Sequence, residues 1–265
     1  MARKKKISGE KKGTEKIKFF DINTFHATEG LLIFPMSMSR IANVGQNAKT
    51  YMKYARHFYP KVRKTSPRAK FGINFIYGDF LYLYSKEKSQ VLKKRFMGAV
   101  TNHYNSFMKE LRGEPHFIQE AFAFNVWNQL YLDCPNFAYN LKKLKEIFKR
   151  DKVFQKYLKE DFKKLPKGKY KFDENQIDFF LEEHLMLYFI SKGKVRLRND
   201  FIRDLQKWTL VAYPGKPLKA HIYLHQKNFF EIDNKENPYQ NCWYNLEDKK
   251  LYCFDNIDLE NYNLN

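Results

Sequence analysis

The 265-residue chain predicts an α/β fold built on a mainly parallel sheet. Two patterns point there. Short continuous apolar runs, such as Leu31-Leu32-Ile33-Phe34-Pro35-Met36, have the length and composition of strands buried on both faces. Between them lie segments with apolar residues at helical spacing, so strand and helix alternate along the chain. A composition of 43% hydrophobic and 17% aromatic residues supplies a sizeable core and excludes disorder for most of the chain.

Taken in order, residues 1–20 read as a basic, flexible tail. Through Lys18 they hold eight Lys/Arg and two Glu, and no apolar stretch of signal-peptide length follows. Residues 21–230 form the predicted α/β body. Its first strand, 31–36, ends in the small, polar Ser37-Met38-Ser39 turn. Tyr51, Tyr54, Ala55 and Phe58 mark a helix over 47–59, stopped by Pro60. The run FGINFIY opens a second strand in 71–83, followed by a Gly78-Asp79 loop. A long helix over 86–111 is predicted to turn Val91, Phe96, Val100, Tyr104, Phe107 and Leu111 inward, and Gly113-Glu114-Pro115 ends it. A third strand is expected at 117–122. Segment 136–165 is lysine-rich and helical, and Asp173 is placed to cap a helix running to Ile190. Residues 208–213 form a fourth strand, closed by Pro214-Gly215. Residues 231–265, with eight acidic and three basic side chains, read as a short hairpin and tail packed on the same domain. No repeat or linker divides the body.

The formal net charge is +20, from 49 Lys+Arg against 29 Asp+Glu, which makes a polyanion the first partner class to consider. The tail supplies less than a third of it. The segment 86–112 alone carries Lys86, Lys88, Lys93, Lys94, Arg95, Lys109 and Arg112 against two glutamates, and 142–164 adds further lysines. Such faces either grip a phosphate backbone or remain solvated lysine surfaces. With no RNP aromatic signature and no Cys/His finger spacing, the charge speaks for phosphate without sequence reading, and RNA and DNA both stay open. No apolar run approaches the roughly 20 residues of a membrane helix. Cys134, Cys242 and Cys253 stand in no CxxC arrangement and imply neither zinc site nor disulfide framework, which fits a reducing cytosol. Neither GxxxxGK[ST] nor GxGxxG follows any strand, so no nucleotide cofactor and no metal is expected.

Parallel sheets bind ligands beyond the carboxyl ends of their strands, here the Ser37 turn, the Gly78-Asp79 loop and the Tyr213-Pro214 turn. A serine placed where a buried strand breaks into a turn can be an exposed nucleophile or an ordinary turn residue. Ser37 lacks the GxSxG elbow. On the helix from Asp173, Glu182-Glu183-His184 is either a solvated acidic pair or a site with one carboxylate facing inward beside Phe179, Phe180 and Leu187. An inward Glu183 needs a cation, which suggests a bound amine. Met36-Ser37-Met38-Ser39-Arg40 loosely resembles the KMSKS loop of class I aminoacyl-tRNA synthetases, but nothing upstream resembles HIGH and ATP binding is rejected. Two other readings stay open: a non-catalytic RNA-binding protein, and a serine hydrolase or acyltransferase in which His184 is the nominated base.

In order and spacing, these positions resemble the tRNA-dependent cyclodipeptide synthases. That family's apolar strand leading into a nucleophilic serine is matched by Leu32-Ile33-Phe34-Pro35-Met36-Ser37. Its Tyr, three residues, then Glu is matched by Phe179-Phe180-Leu181-Glu182-Glu183, and its strand-end Tyr followed by Pro in one of two subfamilies by Tyr213-Pro214. Arg40 stands where the other subfamily has Asn. Pro35, Phe179 and Leu185 depart from the family's usual Gly, Tyr and Pro. The resemblance covers about residues 30–219. It implies a Rossmann-like three-layer domain similar to the catalytic domain of tyrosyl- and tryptophanyl-tRNA synthetases, cytoplasmic, cofactor-free, joining the amino acids of two aminoacyl-tRNAs into a 2,5-diketopiperazine, with no DNA and no obligate protein partner expected. By the same resemblance Ser37 carries an aminoacyl-enzyme, Glu183 holds its ammonium, Tyr213 serves the cyclisation and Phe179 takes the catalytic-site Tyr position. Phe34, Pro35, Arg40, Ile76, Gly78, His184 and Pro214 would line the substrate site. Lys86, Lys88, Lys93, Lys94 and Arg95 would take the tRNA.

Overall fold

The computed structural model describes residues 30–37, 47–59, 71–78, 90–134, 136–164, 172–195, 197 and 208–264. The predicted tail, the stop at Pro60, the chain from Asp79 and the helix start at 86–89 lie outside them. The sheet contains β1 (Gly30–Met36), β2 (Phe71–Tyr77), β3 (Phe122–Val126), β4 (Trp208–Tyr213), β5 (Cys242–Asn245) and β6 (Lys250–Cys253). Their spatial order is β3-β2-β1-β4-β5-β6. The first five strands run parallel and β6 turns back antiparallel on β5. This is the 3-2-1-4-5-6 order of the doubly wound, Rossmann-like sheet, with β6 reversed.

The continuous apolar run in β1 is explained by its central place, since every residue from Gly30 to Met36 is buried. Pro35 is tolerated in that strand for a local reason. The ladder between β1 and β4 runs only from Gly30↔Trp208 to Ile33↔Val211, so the missing N–H of Pro35 falls beyond the last shared rung. Alternation along the strand divides its side chains between two faces. Phe34 packs on one, with its ring 6.4 Å from Tyr51, 6.1 Å from Phe58 and 5.0 Å from Phe75. Pro35, in register with Ile76, lies on the other.

Helices α1 (Ala48–Arg56) and α2 (Gln90–Leu111) pack together over the Phe34 face. Asn47 caps α1, its Oδ1 accepting from Thr50 N–H at 2.8 Å. Among the described residues of α2 the buried stripe is His103, Phe107 and Leu111, the last two as predicted, whereas Val91 is 79% exposed and Tyr104 39% exposed, against the prediction, and the Phe96 side chain lies outside the described residues. A short helix, α3 (His116–Ala121), begins at Pro115 and occupies most of the segment predicted as the third strand. Ile118 and Ala121, three apart, are its buried residues, and β3 starts only at Phe122. Next come α4 (Trp127–Asp133), α5 (Phe137–Arg150), α6 (Lys152–Lys164), α7 (Glu174–Ser191) and α8 (Lys219–Lys227).

The single helix expected over 136–165 is therefore two. Asp151 breaks it, and its Oδ1 accepts from the N–H groups of Val153 and Phe154, both at 2.9 Å, to start α6. Asp173 caps α7 as predicted, accepting from Gln176 N–H at 3.0 Å. Among the described residues, no helix is long and apolar enough to cross a membrane. At the C-terminal end, Cys242 and Cys253 sit opposite each other on β5 and β6, with 3.2 Å between sulfurs. No spacing rule joins two cysteines that far apart in sequence.

Candidate functional site

The parallel strands β1 to β4 deliver their carboxyl ends to one place. Ser37 follows β1, Gly78 follows β2, Trp127 follows β3 and Tyr213 ends β4. The strand order changes direction between β1 and β4, where a doubly wound sheet opens its crevice. Over that crevice lies α7, presenting Phe179 and Glu183 one turn apart on a single face. Pro35, Met36, Ser37, Ile76, Gly78, Trp127, Phe179, Glu183 and Tyr213 line one small cleft. A larger cavity of about 170 Å³ continues from Ser37, Glu183 and Tyr213 to a wall that includes His184, His221 and Trp243.

Segments about 30 and 146 residues apart in sequence thus meet at Ser37, Glu183 and Tyr213. Pro35, Ile76, Gly78, His184 and Pro214 also line one or both spaces. Phe34 does not. It is fully buried against Tyr51, Phe58 and Phe75 on the opposite face, because it alternates with Pro35 along the strand. Arg40, Lys86 and Lys88 lie outside the described residues, as does the side chain of Lys93. Lys94 and Arg95 are exposed on the first turns of α2.

The two adjacent glutamates separate cleanly. Glu183 faces the cleft and the cavity, whereas Glu182 lines neither. Glu182 Oε1 is buried without a hydrogen-bond partner. Burial pushes its carboxyl up to about 7, opposed by the charge of Lys145. His184 is likewise enclosed, and burial holds it far below the usual imidazole value, at about 4. Neither of its ring nitrogens has a hydrogen-bond partner, so it does not stand to Ser37 as a base stands to its nucleophile. Gly78 N–H donates to Met36 O at 3.1 Å and prolongs the β1–β2 ladder.

The loop after β4 is held from two sides. Gly215, at φ +102°, donates its N–H to Asn245 Oδ1 at 3.0 Å, and its carbonyl accepts from Trp243 Nε1 at 3.0 Å. Asp161 fixes the start of α8, accepting from Lys219 N–H at 3.0 Å and Ala220 N–H at 2.8 Å. Burial keeps that carboxyl high, at about 7, in spite of both donors. The hairpin β5–β6 and helix α8 therefore contribute Trp243 and His221 to the cavity, and the residues that place them are Asn245 and Asp161.

Sequence reasoning missed Trp127, His221 and Trp243. Trp127 is buried, its indole N–H has no partner, and it reaches the cleft because β3 ends at Val126. A strand placed to start five residues early hides that position. His221 and Trp243 carry no local signal, since their role depends on a helix and a parallel strand that follow the last recognised turn. Among the described residues no three His, Cys, Asp or Glu side chains group as a metal site.

No protein-family model matches the sequence. No curated protein matches it either. Similar solved structures include a CDPS from Fluoribacter dumoffii, with TM-score 0.47, 12% identity, and coverage of 74% of this chain and 81% of that one. They include AlbC, a cyclodipeptide synthase from Streptomyces noursei, at TM-score 0.45 and 12% identity, covering 70% of this chain and 82% of that one. A CDPS from Staphylococcus haemolyticus has TM-score 0.47 and 14% identity, covering 78% of this chain and 87% of that one.

Proposed function

We propose that this chain is a tRNA-dependent cyclodipeptide synthase of the Tyr-Pro subfamily, working through an aminoacyl ester on Ser37. One observation carries the reading: Ser37, Glu183 and Tyr213, drawn from three distant segments, line a single cleft at the carboxyl edge of the sheet. The cleft has a hydroxyl to acylate, a carboxylate to hold an ammonium, and a phenol for proton movement. An aminoacyl-tRNA ester is already activated, so no nucleotide site is needed.

In the first step Ser37 Oγ attacks the ester carbonyl of one aminoacyl-tRNA. An acyl–serine ester forms, the acyl–ribose bond breaks, and the ribose oxygen leaves with the proton. Glu183 pairs with the aminoacyl ammonium and fixes its direction. Once deprotonated, that amine attacks the ester of the second aminoacyl-tRNA, forming a peptide bond and freeing the second tRNA. The new terminal amine then attacks the seryl ester, closes the six-membered ring and restores Ser37. Tyr213 is the phenol placed to pass a proton in that closure. The exposed basic residues of α2, with Lys94 and Arg95 among them, would hold tRNA phosphates.

The test is incubation with charged tRNAs followed by mass spectrometry of small products. Cyclic dipeptides are expected from the native protein and not from Ser37→Ala. Their formation at a normal rate by Ser37→Ala would remove the serine from the reaction, and charged tRNA left intact would favour a non-catalytic RNA-binding role.

A further inference from the structure

The far wall of the 170 Å³ cavity is unusual in its chemistry. His184 and His221 both line it, and they are only 4% and 2% exposed. Their rings lie 5.2 Å apart between centroids. Three of their four ring nitrogens, both on His184 and Nδ1 on His221, are enclosed without any hydrogen-bond partner. His221 is backed by His225, 4.7 Å away, whose Nε2 is also unpartnered. Around them the wall is mostly apolar, with Phe180, Leu187, Leu218 and Trp243, and the cation that joins them, Lys216, donates from Nζ to Asn263 O at 3.1 Å. Burial keeps all three imidazoles neutral, their proton affinities depressed.

Buried polar atoms normally find partners, and leaving one unpaired is costly. A packed core gains nothing from two such histidines, since apolar rings would fill the same space. A ligand that presses into this wall and turns the two rings toward itself changes that balance. Each neutral imidazole has one donor and one acceptor nitrogen, so the pair complements a group that both gives and takes hydrogen bonds. A hydroxyl, a carboxamide or another imidazole does both. An alkyl group leaves the nitrogens orphaned, and a cationic chain would bring charge against groups held neutral.

We infer that His184 and His221 select the amino acid whose side chain enters this cavity, and that its chemical class is neutral and polar: hydroxyl, carboxamide or imidazole. The inference rests on the aminoacyl reading of Ser37 and deepens it. Sites built to hydrogen-bond a substrate hydroxyl or amide reject analogues lacking it far more strongly than apolar pockets reject one methylene.

The experiment has two arms. In the first, native protein receives tRNAs charged with a mixture of labelled amino acids and the cyclic products are resolved by mass. The main product should contain Ser, Thr, Tyr, Asn, Gln or His. His184→Leu and His221→Leu should each lower its yield, relative to all-apolar products, by about 10- to 100-fold, the effect of one or two unpaired polar groups. His221→Asn, which keeps a donor and an acceptor, should retain the preference. All-apolar products from native protein, or an unchanged product ratio in both Leu variants, would overturn the inference while leaving the synthase reading intact.

The second arm needs no turnover. The free amides of serine, glutamine, histidine and tyrosine are compared with those of alanine, leucine and phenylalanine, following the histidine ring resonances by NMR. At least one polar amide should bind about tenfold more tightly than every apolar one and shift the His184 and His221 signals, and that preference should vanish in His221→Leu. Equal binding of the two sets would overturn the inference. An absence of cyclic products in the first arm, with a polar preference in the second, would count against the synthase reading alone.

Discussion

Glu182→Gln tests whether the two neighbouring carboxylates have the separate roles that their surroundings assign. Glu182 Oε1 is buried without a partner, and burial lifts the carboxyl from an ordinary 4.5 to about 7. An acid raised in the folded state contributes stability below its unfolded value near 4.5, and that contribution is lost as pH rises through about 7. At about 1.4 kcal/mol per pH unit, the full effect is on the order of 3 kcal/mol. The side chain keeps some contact with solvent, and part of the change falls below pH 5, which reduces the effect between pH 5 and pH 8 to roughly 2 kcal/mol. Glutamine has nearly the same shape and cannot ionise. In urea unfolding at the two pH values, the variant should gain about 2 kcal/mol over native protein at pH 8 relative to their difference at pH 5. The changes at Asp161 and the histidines occur in both proteins and cancel. Product formation should persist in Glu182→Gln and collapse in Glu183→Gln. A stability difference that does not vary with pH would refute the burial argument. Loss of product in both variants would refute the division of roles.

Three other perturbations probe separate parts of the molecule. Gly30→Ala places a methyl 1.7 Å from Cε2 of the buried Trp208 ring, so the centre of the sheet must shift; a loss of about 3 kcal/mol and a clear fall in Tm are expected, and unchanged melting would show that the ring moves freely. Reversing Lys93, Lys94 and Arg95 to Glu should weaken the use of charged tRNA and flatten its salt dependence without changing Tm, whereas unaltered turnover at moderate salt would exclude this surface. Phe179→Tyr adds a hydroxyl to the cleft and should keep activity with a changed amino-acid preference; complete inactivation would show that the apolar ring itself is required.

The parts of the fold legible in sequence are those with local causes. Burial on both faces makes β1 a continuous apolar run, and Asp173 announces α7 with a cap. The third strand is displaced because Pro115 starts a helical turn that apolar content alone does not reveal, and the same error conceals Trp127. Val91 looks like a core residue from its spacing, yet the buried stripe of α2 runs through His103, Phe107 and Leu111. Phe34 illustrates a different limit. A run of apolar residues does not say which face meets the ligand, and strand alternation sends Phe34 to the helical layer and Pro35 to the cleft. Ser37 and Tyr213 are legible because strand ends carry their positions, whereas the sequence leaves open whether either of Glu182 and Glu183 faces inward. His221 and Trp243 are not legible, because they reach the cavity through α8 and a parallel fifth strand whose pairing is entirely long-range.

The most direct measurement is the intact mass of the protein after brief exposure to tRNA charged with one labelled amino acid. A covalent ester on Ser37 predicts a single added aminoacyl residue, located on the peptide that contains Ser37, removed by hydroxylamine and absent in Ser37→Ala. Cyclic product formed with no such adduct, or an adduct that survives in Ser37→Ala, would contradict the account.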